Sequence, residues 1–124
     1  MKIIVVAALL LIVCAWTAAA ADVSGRWTGT INVVENGESK TVPVLLILKQ
    51  DGTKVTGTGG NSEDDQHAII KGSVDGDKVM IEALGGEDGN EHYFLDLTID
   101  GDQMTGEIRK GDSDRMKMMV KRAV

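Results

Sequence analysis

The sequence predicts an all-β protein: an eight-stranded antiparallel up-and-down β-barrel behind a cleaved N-terminal signal peptide. Three observations carry the prediction. Similar segments start at Asp51, Asp75 and Asp100, spaced 24 and 25 residues apart. Each opens with Asp-Gly, and Asn36-Gly37 supplies a fourth turn of the same kind. Every such turn separates two runs in which apolar and polar residues alternate, which is the pattern of a hairpin with one buried face. One repeat therefore holds two strands. No stretch beyond the first 21 residues has the 3.6-residue period of a helix.

The first element is the signal. Lys2 gives a positive start, residues 3–16 are uncharged and mostly apolar, and Ala18 to Ala21 offer small residues for cleavage. Cleavage is expected before Asp22 or one residue earlier. The domains are then residues 1–21, the signal, and residues 22–124, a single barrel of about 103 residues, an ordinary size for one domain. Cys14, the only cysteine, lies inside the apolar run after Val13, so it neither fits a lipidation site nor survives cleavage. A chain without thiols has no disulfide, no cysteine nucleophile and no cysteine–metal site, and must be held by its core.

The expected strands follow in order at residues 26–34, 41–50, 54–58, 67–74, 78–84, 92–99, 103–109 and 115–122. Type I′ turns centred on the Asx-Gly pairs fix which residues face each other. They pair Trp27 with Leu46 and Ile31 with Val42 in the first hairpin. In the others they pair Leu48 with Val55, Leu46 with Gly57, Ile70 with Ile81, Gly72 with Val79, Leu97 with Met104, and Leu95 with Gly106. All four hairpins then place apolar residues or glycine on one shared face. A second apolar set points outward: Leu45, Ile47, Ile69, Met80, Phe94 and Met119. It is large enough for a partner surface or for self-association into a homo-oligomer.

The three Asp-Gly turns lie at one end of the barrel. Asn36-Gly37, the loops at residues 59–66 and 85–91, and the turn at 110–113 gather at the other, with Glu63, Asp64, Asp65, Glu87, Asp88 and Glu91 among them. One laced end and one loop-rich mouth is the plan of ligand-binding barrels. The expected lining is Trp27, Leu46, Leu48, Leu95, Leu97 and Met104. Trp27 is expected to plug the floor. The inward glycines Gly29, Gly57, Gly72 and Gly106 are expected to relieve the bend of a closing barrel rather than to make room, because some twenty bulky inward positions suffice to fill it.

Gly25-Arg26-Trp27 at the start of the first strand resembles the Gly-x-Trp signature of the calycins: lipocalins, avidins and small bacterial proteinase inhibitors. The stretch from Gly52 to Thr58 (Gly-Thr-Lys-Val-Thr-Gly-Thr) is similar to an avidin hairpin. The resemblance implies a small barrel that binds at its mouth. The chain departs from avidins in keeping one tryptophan, Trp27, after cleavage, and from lipocalins in having no room for a helix.

The chemistry of the remaining residues narrows the classes of function. A net charge of −6, about −7 once Lys2 is lost, repels phosphate backbones and anionic lipid, so neither nucleic acid nor membrane insertion of the cleaved protein is expected. His67 and His92, each beside an acidic residue, resemble half of a metal site. The strand between them sets their backbones about 10 Å apart, and they are expected to be rim residues with no metal bound. The acidic runs at 63–65 and 87–91 carry oxygen ligands without EF-hand spacing, and read as solvated tips. No Gly-x-Ser-x-Gly elbow or paired Ser-His-acid spacing occurs, so no catalytic residue and no cofactor is assigned and the chain is not expected to be an enzyme. The leading expectation is an exported, periplasmic or extracellular, non-enzymatic binding module for a small apolar ligand at the mouth. The alternative is a protein-interaction or proteinase-inhibitor-like barrel acting through its N-terminal arm and rim loops.

Overall fold

A computed structural model describes residues 22–86, 89–111 and 114–123. The expected signal lies outside them. Eight strands follow in chain order: β1 (Gly25–Glu35), β2 (Glu38–Asp51), β3 (Lys54–Ser62), β4 (Asp65–Asp75), β5 (Lys78–Gly85), β6 (Glu91–Asp100), β7 (Gln103–Lys110) and β8 (Asp114–Arg122). Each pairs antiparallel with the next, and β8 returns to β1, so the sheet closes into an up-and-down barrel without an edge. The alternation read from the sequence is the alternation that builds the core. Val55, Val79, Leu97, Met104 and Val120 point inward and are fully buried together with Trp27.

The Asn36-Gly37 hairpin has the expected register, with Trp27 opposite Leu46 and Ile31 opposite Val42. Both of its central residues have positive φ, 52° and 80°, as a type I′ turn requires. The three Asp-Gly hairpins differ from expectation by two residues. Leu48 faces Gly57 and not Val55, Gly72 faces Ile81, and Leu97 faces Gly106 and not Met104. The physical reason is the turn type. In each case the aspartate closes its strand and glycine takes the first central position at φ +63°, followed by Thr53, Asp77 or Asp102. Those second residues lack positive φ, so the turns match type II′ rather than type I′. A displacement of two leaves every side chain on the face assigned to it.

Two assignments to a face are corrected. A bulge between Ile69 and Lys71 reverses the alternation in the first half of β4, so Ile69 packs on the core and Ile70 is 51% exposed. Leu45 does point away from the core, yet it is only 5% exposed. The loop expected at residues 59–66 is mostly strand, closed by a short turn at Glu63-Asp64. That turn reaches back across β2, where Glu63 pairs with Arg26 of β1. The Gln66 side-chain amide donates to the Leu45 carbonyl at 3.3 Å and its oxygen accepts from the Thr58 hydroxyl at 2.7 Å. The tip thus lies against the outer wall around Leu45.

The closed end is sealed by residues 22–24 and Arg122. Val23 is fully buried, and its carbonyl accepts from the Trp27 indole N–H at 2.9 Å. The Arg122 guanidinium sits 4.3 Å above the Trp27 ring and donates to the carbonyls of Ser24 (2.6 Å) and Asp22 (2.9 Å) and to the Asp102 carboxylate (3.0 Å). Trp27 therefore plugs the floor, as the sequence suggests. Close strand approach explains three inward glycines. A Cβ at Gly29, Gly57 or Gly106 would come within about 2 Å of a neighbouring strand's carbonyl oxygen.

Candidate functional site

Above this floor the barrel opens into a cavity of about 710 Å³ at the mouth, to which all eight strands contribute. Several of the inward residues at this end are small. Val33, Val42 and Val44 stand on β1 and β2, Gly59 on β3, and Ala83 and Gly85 on β5. The bulky inward positions, though numerous enough to fill a barrel of this size, leave this space at the mouth. The closed half is packed around Trp27, Leu97 and Met104, and the open half encloses the cavity.

The six residues expected to line a site divide between these halves. Leu46 and Leu95 border the cavity, near its base. Trp27, Leu48, Leu97 and Met104 are buried beneath it in the packed core. The structure adds Ile31, Ile69, Tyr93, Ile108, Met116 and Met118 to the wall. Period-two alternation from Leu95 leads to Tyr93, and from Val120 to Met118 and Met116, so the signal for these was present in the sequence. Nothing in the sequence marks the β4 bulge, and with it the inward turn of Ile69 is lost to sequence reasoning.

Polar groups are confined to the rim. On β4, His67 Nε2 and Asp65 Oδ1 are 2.9 Å apart, and both residues border the cavity. On β6, the Tyr93 hydroxyl donates to Glu91 Oε2 at 3.1 Å, while Lys110 of β7 forms an ion pair with Glu91 Oε1 at 3.2 Å. Burial, and then the hydrogen bond to the Glu91 carboxylate, raise the Tyr93 pKa above its ordinary value. The phenol stays protonated at neutral pH. Its proton is committed to Glu91, so the phenolic oxygen is left as an acceptor.

The two histidines do not meet. His67 faces the cavity, while His92 lies on the outer surface, 3.3 Å from Glu82 and stacked on Phe94. Among the described residues no group of three or more His, Cys, Asp or Glu is placed to hold a metal ion. Of the acidic runs, Glu87 and Asp88 lie outside the described residues. Met80 and Phe94 of the outward set border a shallower outer recess of about 360 Å³, where the Arg109 guanidinium stands 5.0 Å over the Phe94 ring. Compared with known proteins, the chain matches no family model and no curated relative.

Proposed function

We propose that this protein is a non-enzymatic binding module that holds a small, mainly apolar ligand in the mouth cavity. The observation that carries the reading is a cavity of about 710 Å³ with aliphatic walls and a short series of rim polar groups. Its size lies within the ~300–1,000 Å³ usual for small-molecule sites, and apolar walls with a few placed polar groups are their usual composition. A packed floor and a closed sheet frame this space.

The finer reading joins the calycin resemblance of Gly25-Arg26-Trp27 to the barrel, and makes the protein an exported, calycin-like carrier that acts outside the cytoplasm. A soluble form is supported by exposed charges on the outer wall, such as Lys71, Asp96, Glu107 and Lys117, which a lipid-facing wall would disfavour. The N-terminal arm supports the mouth as the working end. Residues 22–24 are tied to the closed end through Arg122 and Gln50, so the arm is engaged within the fold.

Native mass spectrometry of protein purified from its own cells tests the reading. The expected spectrum holds, beside the bare chain, a species heavier by one small molecule that organic solvent extracts. A bare chain alone, with a second protein retained through purification, would favour interaction with a protein.

A further inference from the structure

The rim is asymmetric, and its best-formed corner sits over two successive glycines at the end of β5. A Cβ at Gly85 would come within 2.9 Å of the Tyr93 ring, so the ring lies across the Gly85 backbone. A Cβ at Gly86 would come within 2.5 Å of Glu91 Oε2, so that carboxylate lies across Gly86. Side chains at these positions would displace both groups. Asp65 and His67 stand on β4, on the other side of β5, at a backbone separation of about 10 Å. Between them Ala83, Leu84, Gly85 and Gly86 border the cavity, and Gly85 and Gly86 add no side chain there. The corner is therefore a shallow saddle with an aromatic ring at its base and a carboxylate on either side.

Its charge balance is equally specific. Lys110, the cation bordering the cavity, is engaged by Glu91 at 3.2 Å. The Tyr93 hydroxyl donates its proton to that same carboxylate and turns an acceptor outward. Asp65 Oδ1 lies 2.9 Å from His67 Nε2, and both residues border the cavity. An anionic head group brought here would meet the phenolic oxygen and two carboxylates, Asp65 and Glu91, against the one ammonium of Lys110, so the corner carries an excess of negative charge. A cationic head would meet an aromatic face and carboxylate oxygens, the combination that recognises ammonium groups.

We propose that the cavity selects amphiphiles with a cationic ammonium head over those with a carboxylate head, the apolar tail lying between Ile31, Leu46, Leu95 and Met118 and the head on the Tyr93–Glu91 saddle. The inference rests on the cavity binding an apolar body, and adds to it the chemistry of the head.

The test compares three ligands with one tail: decyltrimethylammonium, decanoate and decanol, each displacing N-phenyl-1-naphthylamine from the protein at neutral pH and below micellar concentrations. Decyltrimethylammonium is expected to bind about tenfold tighter than decanoate, the order of one cation–π contact with one relieved repulsion. In Glu91→Gln and Tyr93→Leu, with folding checked by circular dichroism, the ratio of ammonium to decanol affinity is expected to fall about fivefold. Equal binding of the three ligands, or tighter binding of decanoate, would overturn the head-group assignment and leave the cavity reading standing. Failure of all three ligands and of the naphthylamine itself would overturn both.

Discussion

Leu95 and Leu97 are the same residue type, two positions apart on β6, and both point inward. They differ in what lies beside them. Leu97 is fully buried in the closed half, between Val79 of β5 and Gly106 of β7. Leu95, between Ile81 and Ile108, borders the cavity. Truncating Leu97 to alanine removes buried methyl groups and leaves a void that the closed sheet cannot collapse to fill. The transfer and cavity contributions together come to about 3–5 kcal/mol. Truncating Leu95 only enlarges a space that already exists, so little is added to the transfer contribution of about 2 kcal/mol. Total stability for a domain of this size is roughly 5–15 kcal/mol, so both variants remain measurable. In urea denaturation, with m near 1–2 kcal/mol/M, Leu97→Ala is expected to lower the midpoint by about 2–3 M and Leu95→Ala by about 1–1.5 M. Equal midpoints for the two variants would mean that Leu95 is packed as tightly as Leu97, and would refute the division into a filled floor and an open mouth. A larger loss at Leu95 would reverse it.

Two further predictions concern the turn chemistry and the rim. Gly101 holds φ +63° at the first position of its turn, and Gly101→Val is expected to cost about 1–3 kcal/mol, whereas Asp77→Ala, at the second position of the β4–β5 turn and without positive φ, should melt within a few degrees of the parent. Equal melting of parent and Gly101→Val would contradict the turn assignment. Tyr93, the chain's single tyrosine, has a pKa raised by burial and by Glu91. Folding thus favours the protonated phenol, and the stability it contributes is fully present below the ordinary tyrosine value of about 10 and is lost as pH rises through the higher folded value. Absorbance of the phenolate near 295 nm should titrate later in the folded than in the urea-unfolded chain, and Tyr93→Phe should remove that part of the alkaline loss of stability; coincident titrations would show that Tyr93 is not held as described.

The barrel was legible in the sequence because its signals are local. Alternation, four Gly-containing turns and the inward position of Trp27 depend on neighbours along the chain and within one hairpin. What escaped depends on backbone detail or on distant packing. The difference between type I′ and type II′ lies in whether Asp or Gly begins the central pair, and a shift of two residues leaves the hydrophobic pattern equally satisfied. The β4 bulge exchanges Ile69 and Ile70, two residues of one type, so composition offers no clue to which faces inward. Leu45 is covered by a hairpin tip that folds back across a strand, which alternation does not encode. For the site, Leu46 and Leu95 were within reach because they face inward at mid-barrel. The depth at which filling stops follows from how all eight strands pack around one another, which no single motif announces.

The mouth cavity, apolar and formed within the closed barrel, is the proposed binding site. Titration of the protein with N-phenyl-1-naphthylamine, a neutral fluorescent probe, measures it directly when repeated on Val33→Trp, a substitution that places an indole in the cavity at a half-buried wall position. Saturable enhancement of probe fluorescence at one probe per chain is expected for the parent protein, and at least about tenfold weaker binding for Val33→Trp at unchanged circular dichroism. Undiminished binding by a folded Val33→Trp protein, or no saturable binding by the parent, would contradict it.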